Sequence, residues 1–187
     1  VQPPGSVQTS VVTSKDVSVD IRTDLPKYRL WKNGKLVEEC SNISHLWRED
    51  LVTFFFGCSF SFEEALMEAG VPVRNIEQGR NVSMYKTSIQ CADYGEFRNI
   101  PLVVTMRPIP AHLVPLAYKV TARFSDTHGA PVHHGDPKEI GIEDLNRVDF
   151  GESVEIQEGD VPVFWACGVT STMAAIQSSA DLVITHA

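Results

Sequence analysis

The feature that most constrains the fold is a pattern that occurs twice: an apolar run that ends in a small residue, a cysteine and a second small residue. It is found at Phe54-Phe55-Phe56-Gly57-Cys58-Ser59 and at Val163-Phe164-Trp165-Ala166-Cys167-Gly168. Each copy precedes a segment with a hydroxyl residue and helical composition, which predicts a strand, a tight turn and a helix. Two such units indicate a protein of the α/β class.

Turn and capping signals divide the rest of the chain into predicted elements. Asn33-Gly34 lies between two strand-like runs and predicts a hairpin. Ser61 precedes a helix over residues 62–70 as its N-cap, Glu64 completes a capping box, and Gly70 ends the helix. Residues 1–20 are predicted to form an extended arm. Three further helices are predicted: one from Ser44 that includes Trp47, Leu51 and Phe54, one at 113–124 with Pro115 in its first turn, and one over 173–177 capped by Thr170 or Ser171. Strands are predicted at 52–56 (or the end of the preceding helix), 84–89, 102–106 with a break at Pro108-Ile109-Pro110, near Val132 (a short one), 161–165 and 181–185.

Composition and charge exclude several classes of protein. Of the 187 residues, 43% are hydrophobic and 21% are charged, as in a globular rather than a disordered chain. A formal net charge of -8, with Lys and Arg scattered, argues against nucleic acid and anionic membranes as partners. No apolar run approaches the ~20 residues of a membrane span, and the first residues lack the pattern of a signal peptide. We therefore expect an intracellular protein, cytoplasmic or, in a eukaryote, mitochondrial; formation of a homo-oligomer stays open.

The four cysteines, Cys40, Cys58, Cys91 and Cys167, form no CxxC pair, and their gaps fit no zinc motif. The even count allows two disulfides, but because the chain shows no secretory signal we expect free thiols. The glycine-rich nucleotide-binding motifs and the common hydrolase motifs are also absent from the sequence. The sequence accordingly predicts neither a cofactor nor a metal site.

Both cysteine turns have the composition of a small-ligand site. Small residues let the backbone approach a ligand closely, and the free N–H groups at the start of a helix attract an anion. The same N–H groups stabilise a thiolate, so Cys58 and Cys167 are candidate proton-transfer groups. The alternative is that both thiols are small buried hydrophobic groups. Candidate substrate-binding residues at these turns are Ser59, Ser61, Gly168 and Thr170.

Further candidates lie in the middle of the chain. Arg107 follows the predicted strand 102–106, where a charged residue faces the ligand crevice of an open α/β sheet and binds a substrate carboxylate. A structural ion pair is the alternative for Arg107. His133 and Asp136 lie in a histidine-rich segment and form a candidate pair for acid–base chemistry and substrate binding, with an ordinary turn as the alternative.

Seven ordered segments of the chain resemble the D-glutamate cyclase family, whose bacterial members are named as hydro-lyases. They are 20–29 (Asp-Ile-Arg-Thr-Asp-Leu-Pro-Lys-Tyr-Arg), 57–66 (Gly-Cys-Ser-Phe-Ser-Phe-Glu-Glu-Ala-Leu), 79–85 (Gly-Arg-Asn-Val-Ser-Met-Tyr), 105–110 (Thr-Met-Arg-Pro-Ile-Pro), 128–133 (His-Gly-Ala-Pro-Val-His), 135–137 (Gly-Asp-Pro) and 161–170 (Val-Pro-Val-Phe-Trp-Ala-Cys-Gly-Val-Thr). Both cysteine turns fall inside these segments, so we expect them to belong to one shared cleft.

The resemblance implies a two-lobed α/β fold. We expect a three-layer α/β/α lobe from residues 21–100 and 160–187, with a smaller α+β lobe from residues 101–159. It also implies a hydro-lyase that converts D-glutamate to 5-oxo-D-proline and water, with a small amino dicarboxylate as the partner. It carries over no catalytic residues. The alternatives are a non-catalytic module that binds a carboxylate metabolite and an inactive, truncated member of the family.

Overall fold

The computed structural model of the protein describes residues 1–9 and 18–187, and its internal contacts group the chain into two units. The first unit is formed by residues 1–55 and 175–187, and the second by residues 56–174. In chain order the described elements are β1 (Gln8–Thr9), β2 (Val19–Asp20), β3 (Tyr28–Lys32), β4 (Lys35–Cys40), α1 (Glu63–Glu68), α2 (Arg74–Glu77), β5 (Ser83–Gln90), β6 (Pro101–Pro110), α3 (Val114–Thr121), β7 (His133–His134), β8 (Asp160–Ala166), α4 (Val169–Gln177) and β9 (Val183–His186). Short 3-10 turns lie at Ser44–Leu46, Ser59–Phe62, Ala111–Leu113, Ala122–Phe124 and Pro137–Ile140.

The first unit contains the predicted hairpin. Strands β3 and β4 pair antiparallel, and the two turn residues have positive φ angles, 49° at Asn33 and 74° at Gly34. A two-residue hairpin turn that follows the twist of its strands needs this conformation at both positions, so the prediction is confirmed. The predicted last strand is β9, which pairs with the other edge of β3. Within the predicted arm, β1 pairs with β2, while residues 10–17 lie outside the described part of the chain.

The helix predicted from Ser44 onward is wrong. Only a 3-10 turn forms at Ser44–Leu46. The indole N–H of Trp47 donates to the carbonyl of Gly5 at 3.1 Å, and the N–H of Gly5 donates to the carbonyl of Leu51 at 2.9 Å. The carbonyl of Thr53 likewise accepts the N–H of Gln2 at 2.9 Å, so backbone carbonyls that a helix would bond within itself are bonded to the start of the chain. The strand predicted at 52–56 is also wrong, because residues 51–58 have no regular structure.

The second unit is built on a four-stranded sheet with the order β5-β6-β8-β7, in which neighbouring strands are antiparallel. The strands predicted at 84–89, 102–106 and 161–165 are confirmed as β5, β6 and β8. The short strand predicted near Val132 is β7, which begins one residue later, at His133.

The predicted break at Pro108 is wrong, because β6 continues to Pro110. Pro108 lies directly opposite Pro162 of β8. In an antiparallel pair, opposite residues alternate between those that exchange hydrogen bonds and those that do not. The N–H of Cys167 bonds the carbonyl of Val103, and counting along the register from this bonded pair puts the two prolines at a position where the strands exchange no hydrogen bond. Because β5 begins at Ser83, opposite Met106, it does not extend as far as Pro108, and no strand on that side needs an N–H group there. Arg107, predicted to follow the strand, therefore lies inside it.

The helix predicted over 62–70 is confirmed as α1, but its start differs from the prediction. Ser61 lies inside the preceding 3-10 turn, and the residue at the N-cap is Phe62, which makes no side-chain cap bond. The capping box is therefore wrong, because the 3-10 turn runs directly into α1. At the other end Gly70 has φ 81°, and the N–H of Val71 bonds the carbonyl of Leu66 at 2.9 Å. This is the glycine-terminated helix end that the sequence predicts.

Apolar side chains cover both faces of the four-stranded sheet. The helix predicted at 113–124 is confirmed as α3 with its flanking 3-10 turns, and Pro115 lies in its first turn. Helices α1 and α3 cover one face in a cluster of Phe62, Leu66, Val71, Val73, Ile109, Val114, Ala117, Val120, Val163 and Trp165. A second cluster contains Tyr85, Val104, Met106, Ile140, Ile142 and Phe164. Since successive strand residues point to opposite faces, Phe164 and Trp165 lie on opposite sides of the sheet.

The mixture of helices and sheets confirms the α/β class. The contact-based units divide the chain at Phe55 and Ala175, whereas the predicted lobes divide it at 100 and 160. The three-layer arrangement and the boundaries of the two predicted lobes stay predictions.

Candidate functional site

The structure brings the two cysteine turns together within the second unit. A Cβ atom placed on Gly168 would lie 3.4 Å from the carbonyl oxygen of Gly57, which is ordinary van der Waals contact. At Gly57 a Cβ atom would lie 2.5 Å from Cγ2 of Thr127. Glycine at position 57 therefore allows Thr127 to pack on the first turn, and the second turn lies beside the backbone of the first at Gly168.

The two thiols have different surroundings. Cys58 is exposed, whereas Cys167 is partly buried with its Sγ 3.7 Å from Sδ of Met84. Burial raises the pKa of the Cys167 thiol; the backbone N–H of Val169 opposes this, and the charge of Cys58 adds to it. Cys167 is therefore a neutral thiol near pH 7, at the start of α4.

A buried ion pair between Arg107 and Glu63 lies beside the turns. Arg107 is 0% exposed, and its Nε donates to Glu63 Oε1 at 3.0 Å. Its Nη2 donates to Ser59 Oγ and its Nη1 to Thr105 Oγ1, each at 3.2 Å. With a second bond to Glu63 from Nη2, four of the five N–H groups of the guanidinium are bonded inside the protein. This arrangement favours the ion-pair alternative for Arg107 over direct contact with a substrate carboxylate.

Aromatic rings and the carboxylate hold the Arg107 charge in a dry environment. The guanidinium carbon lies 4.9 Å from the ring centroid of Phe62 and 5.7 Å from that of Trp165. Burial lowers the pKa of Arg107, and the carboxylate of Glu63 and the thiols of both turns oppose that effect. Because an arginine stays protonated in proteins, a positive charge acts on both thiols from inside the core.

The remaining predicted residues of the turns make structural contacts. Thr170 Oγ1 accepts the N–H of Val103 at 3.0 Å and lies 3.2 Å from its carbonyl oxygen, so Thr170 ties the first turn of α4 to β6. Ser171 Oγ donates to the carbonyl of Gly168 at 2.6 Å. Both hydroxyl residues lie inside α4, so the predicted cap at either position is wrong. Ser61 Oγ lies 3.4 Å from the hydroxyl of Thr127.

The structure does not bring His133 and Asp136 to the thiols. His133 pairs with Phe164 in the β7–β8 ladder, and the two rings stack with centroids 5.7 Å apart. Phe164 packs on the face of the sheet opposite to that of Trp165, and Cys167 is two residues beyond Trp165 along the strand direction. The imidazole Nε2 of His133 lies 2.9 Å from the carbonyl oxygen of Asp136, whose carboxylate accepts the backbone N–H at the start of the next 3-10 turn.

Two residues that the sequence did not select belong to this region. Glu63 reads as an ordinary acidic residue in the first turn of a helix, and only the fold shows that it faces Arg107. His128 lies in the same histidine-rich segment as His133, but it is His128 whose ring contacts Phe62, with centroids 6.2 Å apart. The spacing of the histidines gives no signal that separates them.

Four free thiols are present, at Cys40, Cys58, Cys91 and Cys167. Across residues 1–9 and 18–187, no three His, Cys, Asp or Glu side chains form a group that could hold a metal ion. In that same part of the chain, every helix is too short or too polar to cross a membrane.

Comparison with known proteins finds relatives that are more than half identical to this chain and share one name. A protein from Saccharopolyspora erythraea is 52% identical over 184 residues, which cover 98% of this chain and 70% of the relative. One from Stutzerimonas stutzeri is 56% identical over 168 residues, with coverages of 90% and 63%. One from Geobacillus kaustophilus is 52% identical over 184 residues, with coverages of 98% and 68%. All three carry the name "Putative hydro-lyase".

The chain thus spans between 63% and 70% of the length of these relatives. The family model described as D-glutamate cyclase matches residues 52–187, which include both cysteine turns and the buried ion pair. These matches confirm the resemblance found in the sequence, and the chain belongs to the D-glutamate cyclase family.

Proposed function

We propose that this chain carries a hydro-lyase site that converts D-glutamate to 5-oxo-D-proline and water, and that the two cysteine turns form this site. The observation that carries the proposal is the contact between the turns at Gly57 and Gly168, beside the buried charge of Arg107. Membership of the family supports the class of reaction. An amino dicarboxylate suits the arrangement, because one carboxylate is held while the other reacts.

The reaction defines what the site must supply. The amine nitrogen of D-glutamate forms a bond to the side-chain carboxyl carbon, and one C–O bond of that carboxyl group breaks. The ammonium group loses two protons and the departing oxygen gains two, so one water molecule leaves. The site therefore needs groups that take protons from nitrogen and deliver them to oxygen, and donors for the oxyanion that develops at the carboxyl carbon.

Cys167 suits the proton-donating step. Burial raises the pKa of its thiol, so the proton stays on sulfur at neutral pH and is available to the departing oxygen. Cys58 is exposed at the adjoining turn, where it meets a substrate that enters from solvent. The N–H of Val169 at the start of the nine-residue α4 lies beside Cys167 and supplies a donor for negative charge.

Arg107 supports this chemistry from behind the turns rather than by direct contact. It bonds Ser59 and Glu63, so it holds the first turn in place and lends a positive charge to the site. In this proposal Gly168 lines the substrate, while Ser59, which is buried against Arg107, joins Ser61 and Thr170 in holding the turns through their contacts. His133 and Asp136 lie on the other face of the sheet and take no part.

A turnover assay tests the proposal. Formation of 5-oxo-D-proline from D-glutamate is followed by proton NMR, and we expect Cys58→Ala and Cys167→Ala each to lower kcat/KM by about tenfold or more, in the range of a lost proton-transfer group. The matched control is Cys91→Ala, a half-buried thiol outside the turns, which should keep the wild-type rate. If both turn variants fold and retain full activity, the thiol mechanism is wrong.

A thermal-shift measurement beside the turnover assay separates catalysis from binding alone. D-glutamate and 5-oxo-D-proline are each added to the wild-type chain in a thermal-shift measurement. A ligand that binds the native state raises the Tm by mass action. Stabilisation without product would establish a non-catalytic carboxylate-binding module instead of an enzyme.

A further inference from the structure

Each of the two turn cysteines is the direct neighbour of a residue at the contact between the turns. Gly57, whose carbonyl oxygen lies at the contact, is followed by Cys58. Gly168, on the other side of the contact, is preceded by Cys167. Consecutive Cα atoms are about 3.8 Å apart, and a disulfide needs Cα atoms about 4.4–6.8 Å apart. Two residues that flank a backbone contact are close enough for a local shift of the turns to bring them to this spacing.

The Cys58 turn is the one that can make this shift at low cost. Residues 51–58 have no regular structure, and the carbonyl of Cys58 accepts only the local N–H of Ser61, at 2.9 Å. Cys167 is instead held at the end of β8, where its N–H bonds the carbonyl of Val103. Segments with few ladder bonds open with little free energy, so Cys58 can approach a fixed Cys167.

The surroundings of the two thiols give them an order of reaction. Cys58 is exposed, so a small oxidant in solution reaches it first. The buried charge of Arg107 acts on this thiol and favours its thiolate, which is the nucleophilic form. Cys167 is half-buried and its thiol donates to Sδ of Met84 at 3.7 Å, so it is shielded from the oxidant and stays available for a second step.

We propose that Cys58 and Cys167 are a redox-sensitive pair that a hydroperoxide converts to a disulfide. In the first step the Cys58 sulfur forms a bond to one peroxide oxygen, the O–O bond breaks, and the other oxygen leaves as water with the thiol proton. In the second step the Cys167 sulfur attacks the sulfenic acid, an S–S bond forms, and the S–OH oxygen leaves as water with the Cys167 proton. Two thiols lose two electrons in all, and one hydrogen peroxide is reduced to two water molecules.

The consequence for catalysis rests on the proposed function, whereas the pair itself does not. Both thiols of the proposed site are used up in the disulfide, so oxidation should stop D-glutamate turnover. A dithiol such as dithiothreitol exchanges with the disulfide and returns both thiols. Turnover should therefore return on reduction, which separates this reaction from irreversible oxidation to sulfinic acid.

Peptide mapping tests the pair without reference to turnover. The wild-type chain is treated with hydrogen peroxide, the remaining thiols are blocked with iodoacetamide, and the monomer is isolated on a non-reducing gel and digested with trypsin. The sequence places each of the four cysteines in its own tryptic peptide, at 36–48, 49–74, 87–98 and 148–187. We expect the disulfide between 49–74 and 148–187 to be at least about tenfold more abundant than any other pair, because neighbouring groups react at a high effective concentration.

Variants check the order of the two steps. In Cys167→Ala the sulfenic acid of Cys58 has no thiol to attack it, so labelling of Cys58 by dimedone should rise about fivefold or more over the wild type. In Cys58→Ala no disulfide should form at Cys167. The matched control is Cys91→Ala, which removes a half-buried thiol outside the turns and should leave the disulfide yield and its reversal unchanged.

Every result of the peptide map decides the proposal. Absence of the disulfide between 49–74 and 148–187 in the monomer overturns the pair, as does an equal yield of disulfides to the peptide of Cys91. A disulfide that forms while D-glutamate turnover stays unchanged leaves the pair and shows that the thiols take no part in catalysis. If the reduced wild-type chain forms no 5-oxo-D-proline, the proposed function fails, and the map still shows whether the pair exists.

Discussion

The two cysteine turns share one sequence pattern and are held in place by different means. The Cys167 turn ends a paired strand: its N–H bonds the carbonyl of Val103 at 2.9 Å, and α4 follows directly. The Cys58 turn follows residues 51–56, which have no regular structure, and leads into a 3-10 turn. Its anchor is a set of side-chain bonds from Arg107 to Ser59 and Glu63.

Backbone pairing at one turn and a buried ion pair at the other thus place equivalent turns side by side. A ladder bond depends little on side-chain identity, whereas the ion pair depends on both charges being present. The Cys58 turn should therefore be the more sensitive to substitution. Its thiol is also the more exposed of the two, so the two turns should differ in reactivity as well as in stability.

The largest effect is expected when the anchor of the Cys58 turn is broken. Glu63→Gln keeps the size of the side chain but leaves the Arg107 charge buried without a counter-charge, which costs about 3–5 kcal/mol. Urea unfolding of the chain measures the loss, and Glu64→Gln at the exposed neighbouring position should change the free energy of unfolding by less than about 0.5 kcal/mol. Equal, small changes in the two variants would show that the ion pair is not the anchor.

A smaller effect is expected from adding one methyl group to each turn. Gly57→Ala places a Cβ atom 2.5 Å from Thr127 Cγ2, and relief of that overlap costs about 1–3 kcal/mol. Gly168→Ala places its Cβ atom at an ordinary contact distance of 3.4 Å and should cost under about 1 kcal/mol, as for an alanine at the start of a helix. The comparison is made by thermal and urea unfolding of both variants. A larger loss for Gly168→Ala would reverse the proposed order of the two turns.

The smallest effect concerns the reactivity of the thiols. Iodoacetamide should modify Cys58 about tenfold faster than Cys167 at pH 8, because Cys58 is exposed and burial raises the pKa of Cys167. A raised pKa means a smaller thiolate fraction at a given pH. The modification rate of Cys167 should therefore continue to rise with pH beyond the pH at which an ordinary thiol is fully ionised. Rates mapped by mass spectrometry from pH 7 to pH 10 check both statements. Similar rates and similar pH profiles would remove the difference between the turns.

The sequence predicts those parts of the fold that local signals determine. Turn chemistry predicts the hairpin at Asn33-Gly34 and the end of α1 at Gly70, and apolar runs predict the strands β6 and β8. All of these elements are found in the structure. The region from Ser44 to Phe56 failed because its partners are distant in sequence. The Leu51 carbonyl, which a helix would have used, accepts the N–H of the distant Gly5, and the indole of Trp47 donates to the Gly5 carbonyl.

The sequence predicts the part of the candidate site that local motifs define, and it misses the part that depends on contacts between distant segments. Two similar motifs indicate that Cys58 and Cys167 belong together, and the structure brings their turns into contact. Pairing between Arg107 and Glu63 depends on how α1 crosses the sheet, which no local pattern contains. The choice between His128 and His133 depends on which face of the sheet each segment reaches, and a shift of one residue in β7 would exchange the faces.

A crystal structure of the chain with D-glutamate shows at once whether the two cysteine turns form one substrate site. We predict D-glutamate ordered between Cys58 and Cys167, with a carboxylate near the N–H of Val169 and the Arg107–Glu63 pair intact. D-glutamate bound on the other face of the sheet, beside His133 and Asp136, would contradict it.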